Sequence, residues 1–132
     1  MATRRRFVVT CAAILALTGG VGRTQTVDDF DAWMRTIDER IQDVQGKIAA
    51  KDTTGVSDDA RVLRDTFKQV ADFWIARGNA PDAVDLARQA SERAADVAKA
   101  AVEKDFDGAS SQAIKIADTC TTCHRMYRPL QQ

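Results

Sequence analysis

The chain has 132 residues, 45% apolar and 29% charged, with 19 basic against 19 acidic side chains, three cysteines and one histidine. This length fits one domain, and a zero formal balance with no basic cluster beyond the first six residues argues against nucleic-acid binding, which needs a concentrated cationic surface. A single histidine excludes bis-histidine metal or haem ligation and the helical His-Glu-x-x-His zinc site.

The first segment reads as an export signal. Arg4, Arg5 and Arg6 form a basic start, residues 7–17 an apolar run, and residues 18–22 a small-residue stretch suited to cleavage. The apolar run is too short to span about 30 Å of hydrocarbon, and no stop-transfer pattern follows. Thr3-Arg4-Arg5-Arg6-Phe7 also has the look of a twin-arginine signal. Cys11 is a poor lipidation site, lying inside the apolar run after Thr10. Two units are therefore expected: a secretory signal over 1–22 and a mature domain over 23–132. Cutting after Gly22 leaves 110 residues with 16 basic and 19 acidic side chains, a net charge of about −3, and two cysteines. The expected location is the periplasm, with no membrane span in the mature chain.

Four helical stretches follow. In the first, Val27, Phe30, Met34, Ile37, Ile41, Val44 and Ile48 alternate steps of three and four, the seam of a bundle helix, and Asp28 and Asp29 suit its positive end. A join over 51–56 contains Thr53-Thr54-Gly55, and Ser57 or Asp58 is placed to cap the second helix. There Ala60, Leu63, Phe67, Val70 and Trp74 repeat the spacing up to Gly78. Pro81 opens the third helix, where its missing N–H is no loss. Ala83, Ala87, Ala90, Ala94, Val97 and Ala101 give that helix, running to about Lys104, a thin seam that combines high helix propensity with room for a bulky group. Asp107 is the expected cap of the fourth, which runs from Gly108 or Ala109 to just before Pro129 and buries Ala113, Ile116, Ala117, Cys120 and Tyr127.

The predicted fold is all-α: an antiparallel, up-down-up-down four-helix bundle. That topology brings the start of the first helix beside the end of the second and fourth and the start of the third. Met34 and His124 then lie at similar depth from one end, about 10 Å at 1.5 Å rise per residue. Phe30, Val70, Phe73, Trp74, Val84 and Ala87 are the expected walls of a pocket there.

Within the fourth stretch, Cys120-Thr121-Thr122-Cys123-His124 is the Cys-x-x-Cys-His pattern of covalent c-type haem attachment. On a helix, residues i, i+3 and i+4 share a face, so two thiols meet the two vinyl groups of one haem edge while the imidazole reaches the iron. Three other readings are weaker. A thioredoxin-like pair needs a strand-to-helix junction, a disulfide here would close a tiny loop, and zinc would need a fourth ligand beyond an undistinguished Asp118.

With these residues the chain resembles the class II c-type cytochromes, comprising cytochrome c′ and its low-spin, methionine-ligated relatives. Cys120-x-x-Cys123-His124-x-x-Tyr127-Arg128 looks like that family's terminal signature, and Trp33-Met34-Arg35-Thr36-Ile37 resembles its first-helix segment facing the iron. The resemblance implies one haem c and adds Tyr127 and Arg128 to the pocket. In such proteins haem joins the unfolded chain outside the cytoplasm, which favours reading the arginines as an ordinary basic start.

Met1 leaves with the signal and Met126 is about 200° around the helix from His124, so Met34 is the usable thioether for the far side of the iron. His124 and Met34 as axial ligands imply a low-spin haem and electron transfer. A methionine on a seam is ordinarily core, and with Met34 packed away the site resembles five-coordinate cytochrome c′, which binds nitric oxide or carbon monoxide, with Arg128 beside the proximal face. A peroxidase-like enzyme would need a distal His-Arg pair and a second histidine, so no enzyme activity is expected. Trp33 and Trp74 read as packing around the porphyrin rather than electron relays. The expected partners are redox proteins, with a second copy of the chain as a further candidate through helix-face pairing.

Overall fold

Thr26 starts the first helix with a reciprocal cap: its backbone N–H donates to Asp29 Oδ2 at 2.9 Å, and its hydroxyl accepts from the Asp29 N–H at 3.1 Å. The structure, a computed structural model, describes residues 24–127. The expected signal over 1–22, Cys11, Arg128 and Pro129 lie outside the described residues. Four helices follow in order, α1 (Val27–Ala49), α2 (Thr53–Arg77), α3 (Pro81–Val102) and α4 (Phe106–Tyr127), with no strand among the described residues. None of these helices is long and apolar enough to cross a membrane.

Three-residue links force each helix to run back along its predecessor, and α4 returns to touch α1, which closes a four-helix bundle with the expected antiparallel order. The α1/α2 and α3/α4 links are built alike. Lys51 and Lys104 adopt left-handed backbone, φ 57° and 60°, and the N–H of the next residue reaches back to Lys47 and Ala100 carbonyls respectively. Asp52 and Asp105 then cap α2 and α4, each accepting from a glycine N–H three residues on, Gly55 and Gly108, at 2.9 Å.

These caps correct the expected helix starts. Neither Ser57 or Asp58 nor Asp107 is the cap, because the earlier aspartates satisfy the first-turn donors and draw Thr53-Thr54-Gly55 and Phe106-Asp107-Gly108 into the helices. α3 ends at Val102, two residues before the expected Lys104, whose left-handed φ stops the helix. Gly78, at φ 69°, ends α2 where expected.

The core is densest toward the two aspartate-capped links, where Val44, Val56, Leu63, Val97 and Ile116 are fully buried. The α3 alanines at 83, 87, 90, 94 and 101 are all buried, so α2 and α4 approach α3 closely. One charge lies among them. Asp59, 3% exposed, accepts from Lys47 Nζ at 2.6 Å and Arg40 Nη1 at 3.2 Å, which ties α2 to α1. At the opposite end the seams change character: Phe30, Met34, Ile41, Trp74 and Cys120 are only partly buried.

Candidate functional site

The partly buried seam residues surround a cavity of about 750 Å3 at the end that holds the start of α1 and the ends of α2 and α4. α1 contributes Phe30, Met34, Ile37 and Ile41 with the charged rim residues Asp31, Arg35 and Asp38. α2 supplies Phe67, Val70, Phe73, Trp74 and Arg77, and α3 only Ala83, Leu86 and Ala87. From α4 come Cys120, Cys123, His124 and Tyr127, so the motif and Met34 face one space from adjacent helices. The helical repeat explains this convergence, since steps of three and four keep each set on one face.

Aromatic contacts fix the walls. Phe30 stacks on Phe73 with centroids 4.4 Å apart, and Trp74 meets both edge-on. Trp74 also reaches Tyr127 at 5.2 Å, linking the ends of α2 and α4 across the bundle diagonal. The Arg77 guanidinium lies 3.5 Å over the Phe73 ring. Trp74 Nε1 is buried with no hydrogen-bond partner. A shallower groove of about 320 Å3 between α2 and α3, floored by Ala60, Ala94 and Ala98, carries none of the motif residues.

Both cysteines are free thiols. Burial pushes the Cys120 thiol up to about 11, with neighbouring Cys123 and the Asp38 carboxylate adding to the shift, and burial raises Cys123 as well. Such thiols are protonated at neutral pH, the opposite of a thioredoxin-like nucleophile, whose pKa is depressed. Among the described residues no group of three or more His, Cys, Asp or Glu side chains is arranged to hold a metal ion, so a zinc site has no ligand set here. Thr121 and Thr122 bond back to the Ala117 and Asp118 carbonyls, which occupies their hydroxyls within the helix.

Of the residues expected at the site, Phe30, Met34, Val70, Phe73, Trp74, Ala87, Cys120, Cys123, His124 and Tyr127 all line the cavity. Val84 does not. At 100° per residue it sits around α3 from Ala83, whereas Leu86 and Ala87 flank the lining face, so Ala83 and Leu86 form the wall expected of Val84. Ile37 and Ile41 continue the Met34 seam and were legible as such. Arg35, Arg77, Asp31 and Asp38 were not, because a charged residue on a helix reads as solvated face. The chain matches no family model, no curated protein and no solved structure.

Proposed function

We propose that this chain is a periplasmic c-type cytochrome that carries single electrons on one covalently bound haem, related to the methionine-ligated members of class II. The observation that carries the reading is the convergence of Cys120, Cys123, His124 and Met34 on one cavity. Its volume falls within the roughly 300–1,000 Å3 usual for cofactor sites, and its walls are mainly apolar and aromatic.

The donor set fits a haem. Cys120 and Cys123 are one helical turn apart on α4, matched to two vinyl groups on one edge. Each thiol would add across one vinyl double bond, sulfur to one carbon and the thiol hydrogen to the other, so no oxidant would be consumed. The raised thiol pKa values suit attachment before the chain folds, when the sulfurs are still in water. His124, next to Cys123, supplies an imidazole from α4 and Met34 a thioether from α1.

When bound, the haem supplies a one-electron iron couple. The chain's task would be to hold its iron with the His124 imidazole of α4 and the Met34 thioether of α1, and to keep water away with Phe30, Val70, Phe73 and Trp74. A thioether ligand and dry walls both raise the potential by favouring the less charged reduced state. A low-spin oxidised spectrum at neutral pH, converted to high spin by Met34→Ala, is the expected result. A high-spin ferric spectrum in the unmodified protein would remove Met34 as ligand and favour the five-coordinate, gas-binding alternative. Export by the 1–22 segment and redox proteins as partners belong to the same reading.

A further inference from the structure

We propose that the last turn of α2, through the Arg77 guanidinium and the Trp74 indole N–H, is the carboxylate-binding edge of the cavity, where the two propionates of a haem are held. This assignment rests on the haem reading above.

With the vinyl edge assigned to the α4 cysteines, the carboxylate edge on the other side of the ring needs donors from another element. The charged or titratable groups lining the cavity are Asp31, Arg35 and Asp38 from α1, Arg77 from α2, and Cys120, Cys123, His124 and Tyr127 from α4, while α3 offers only Ala83, Leu86 and Ala87. Arg35 is flanked on its own helix by Asp31 and Asp38, four residues before and three after, both on the lining, which cancels most of its field. Arg77 has no acidic residue within four positions along the chain and makes no ion pair with any described residue.

Its guanidinium is already ordered by Phe73 at 3.5 Å, so little side-chain entropy is lost when it accepts an anion. One turn earlier, Trp74 Nε1 is a buried donor with no partner, and leaving such a group unbonded is costly because it has given up its water. A carboxylate received beside it satisfies that donor and meets a cation at the same edge. Among the described residues, the pairing of an unbonded N–H and a pre-ordered arginine occurs nowhere else on this cavity.

The test is the pH dependence of the midpoint potential of the purified holo-protein and its Arg77→Gln, Arg77→Lys and Trp74→Phe variants. Removing the cation should move the pH at which the potential begins to fall, where the propionates ionise, upward by about one unit. Arg77→Lys, which keeps the cation, should leave most of the original profile, Trp74→Phe should give a smaller shift in the same direction, and the exposed control Arg88→Gln none. Haem bound normally with unmoved profiles in both Arg77→Gln and Trp74→Phe would overturn the assignment alone. A protein carrying no covalent haem would overturn the haem reading and this assignment with it. Should Arg77→Gln fail to accumulate, an unmoved profile in Trp74→Phe suffices to overturn it.

Discussion

Phe30 of α1 and Phe73 of α2 stack with ring centroids 4.4 Å apart and planes 26° from parallel. Trp33 and Trp74 meet Phe73 edge-on, and Arg77 covers its open face. This cluster is the apolar wall between α1 and α2 at the cavity. Phe73 is 3% exposed, so Phe73→Ala should cost about 3 kcal/mol, at the low end for a buried phenylalanine because the neighbouring cavity lets the site relax. Urea denaturation of the purified protein measures this, and Phe73→Leu should lose less than half as much.

Asp59 stabilises the other half of the bundle by a different route. Its buried carboxylate holds Lys47 and Arg40, whose side chains remain 34% and 37% exposed. Asp59→Ala should therefore cost roughly 2 kcal/mol, less than the 3–5 typical of breaking a fully buried pair. On the proposed haem reading the optical spectrum should not change, since none of the three residues lines the cavity. The hydrogen bond to Asp59 raises the Lys47 pKa, so this pairing is complete below the ordinary lysine range and weakens only as the pH rises through the raised value.

The bundle and most of the site were legible in the sequence because apolar periodicity reports helix faces directly. Met34, Val70, Ala87 and Cys120 stand on seams, and any antiparallel bundle brings their ends together. What escaped was chemistry that periodicity ignores. Asp59 stands beside Ala60 on the buried side of α2, where a count of apolar residues passes over a charge. The Asp52 cap was hidden because Gly55 reads as a loop residue, and the Asp105 cap because Asp107 stands directly before Gly108, although each glycine is the first-turn partner of its aspartate. Val84 was included for its apolarity, but its angle around α3 points it away from the lining.

The two matched links give a test of those caps. A side chain at residue 55 or 108 would collide with the capping carboxylate, so Gly55→Ala or Gly108→Ala should displace the cap and cost about 1 kcal/mol each. Lys51 and Lys104 carry the reverse strain: a left-handed residue other than glycine costs about 1–2 kcal/mol, partly offset by the greater chain entropy that glycine loses on folding. Lys51→Gly and Lys104→Gly should each stabilise by about 0.5 kcal/mol, read as a rise in the denaturation midpoint without a change in slope.

Alkaline pH should separate the haem-free chain from the holo-protein. Between about pH 9 and 11 the unfolded chain has lost the Cys120 proton while the folded chain keeps it, so unfolding releases a proton and stability falls across that window. The contribution at stake is about 2–3 kcal/mol for Cys120, intact at pH 8 and mostly lost by about pH 11. Denaturation of the haem-free chain at stepped pH should show this fall, and in Cys120→Ser it should shrink to the part supplied by the raised Cys123 thiol. Once the sulfur is a thioether there is no thiol to ionise, and the fall should be absent from the holo-protein.

Covalent attachment is the claim on which the functional reading depends. The most direct measurement is extraction of the purified, denatured protein with acidic acetone, with the intact mass of the chain read afterwards. With covalent attachment the haem colour stays with the polypeptide, the chain is heavier by one haem, and a Cys120→Ser, Cys123→Ser double variant releases its colour or never acquires it. A chain that gives up its haem to the solvent, or whose mass shows two free thiols and nothing added, would contradict it.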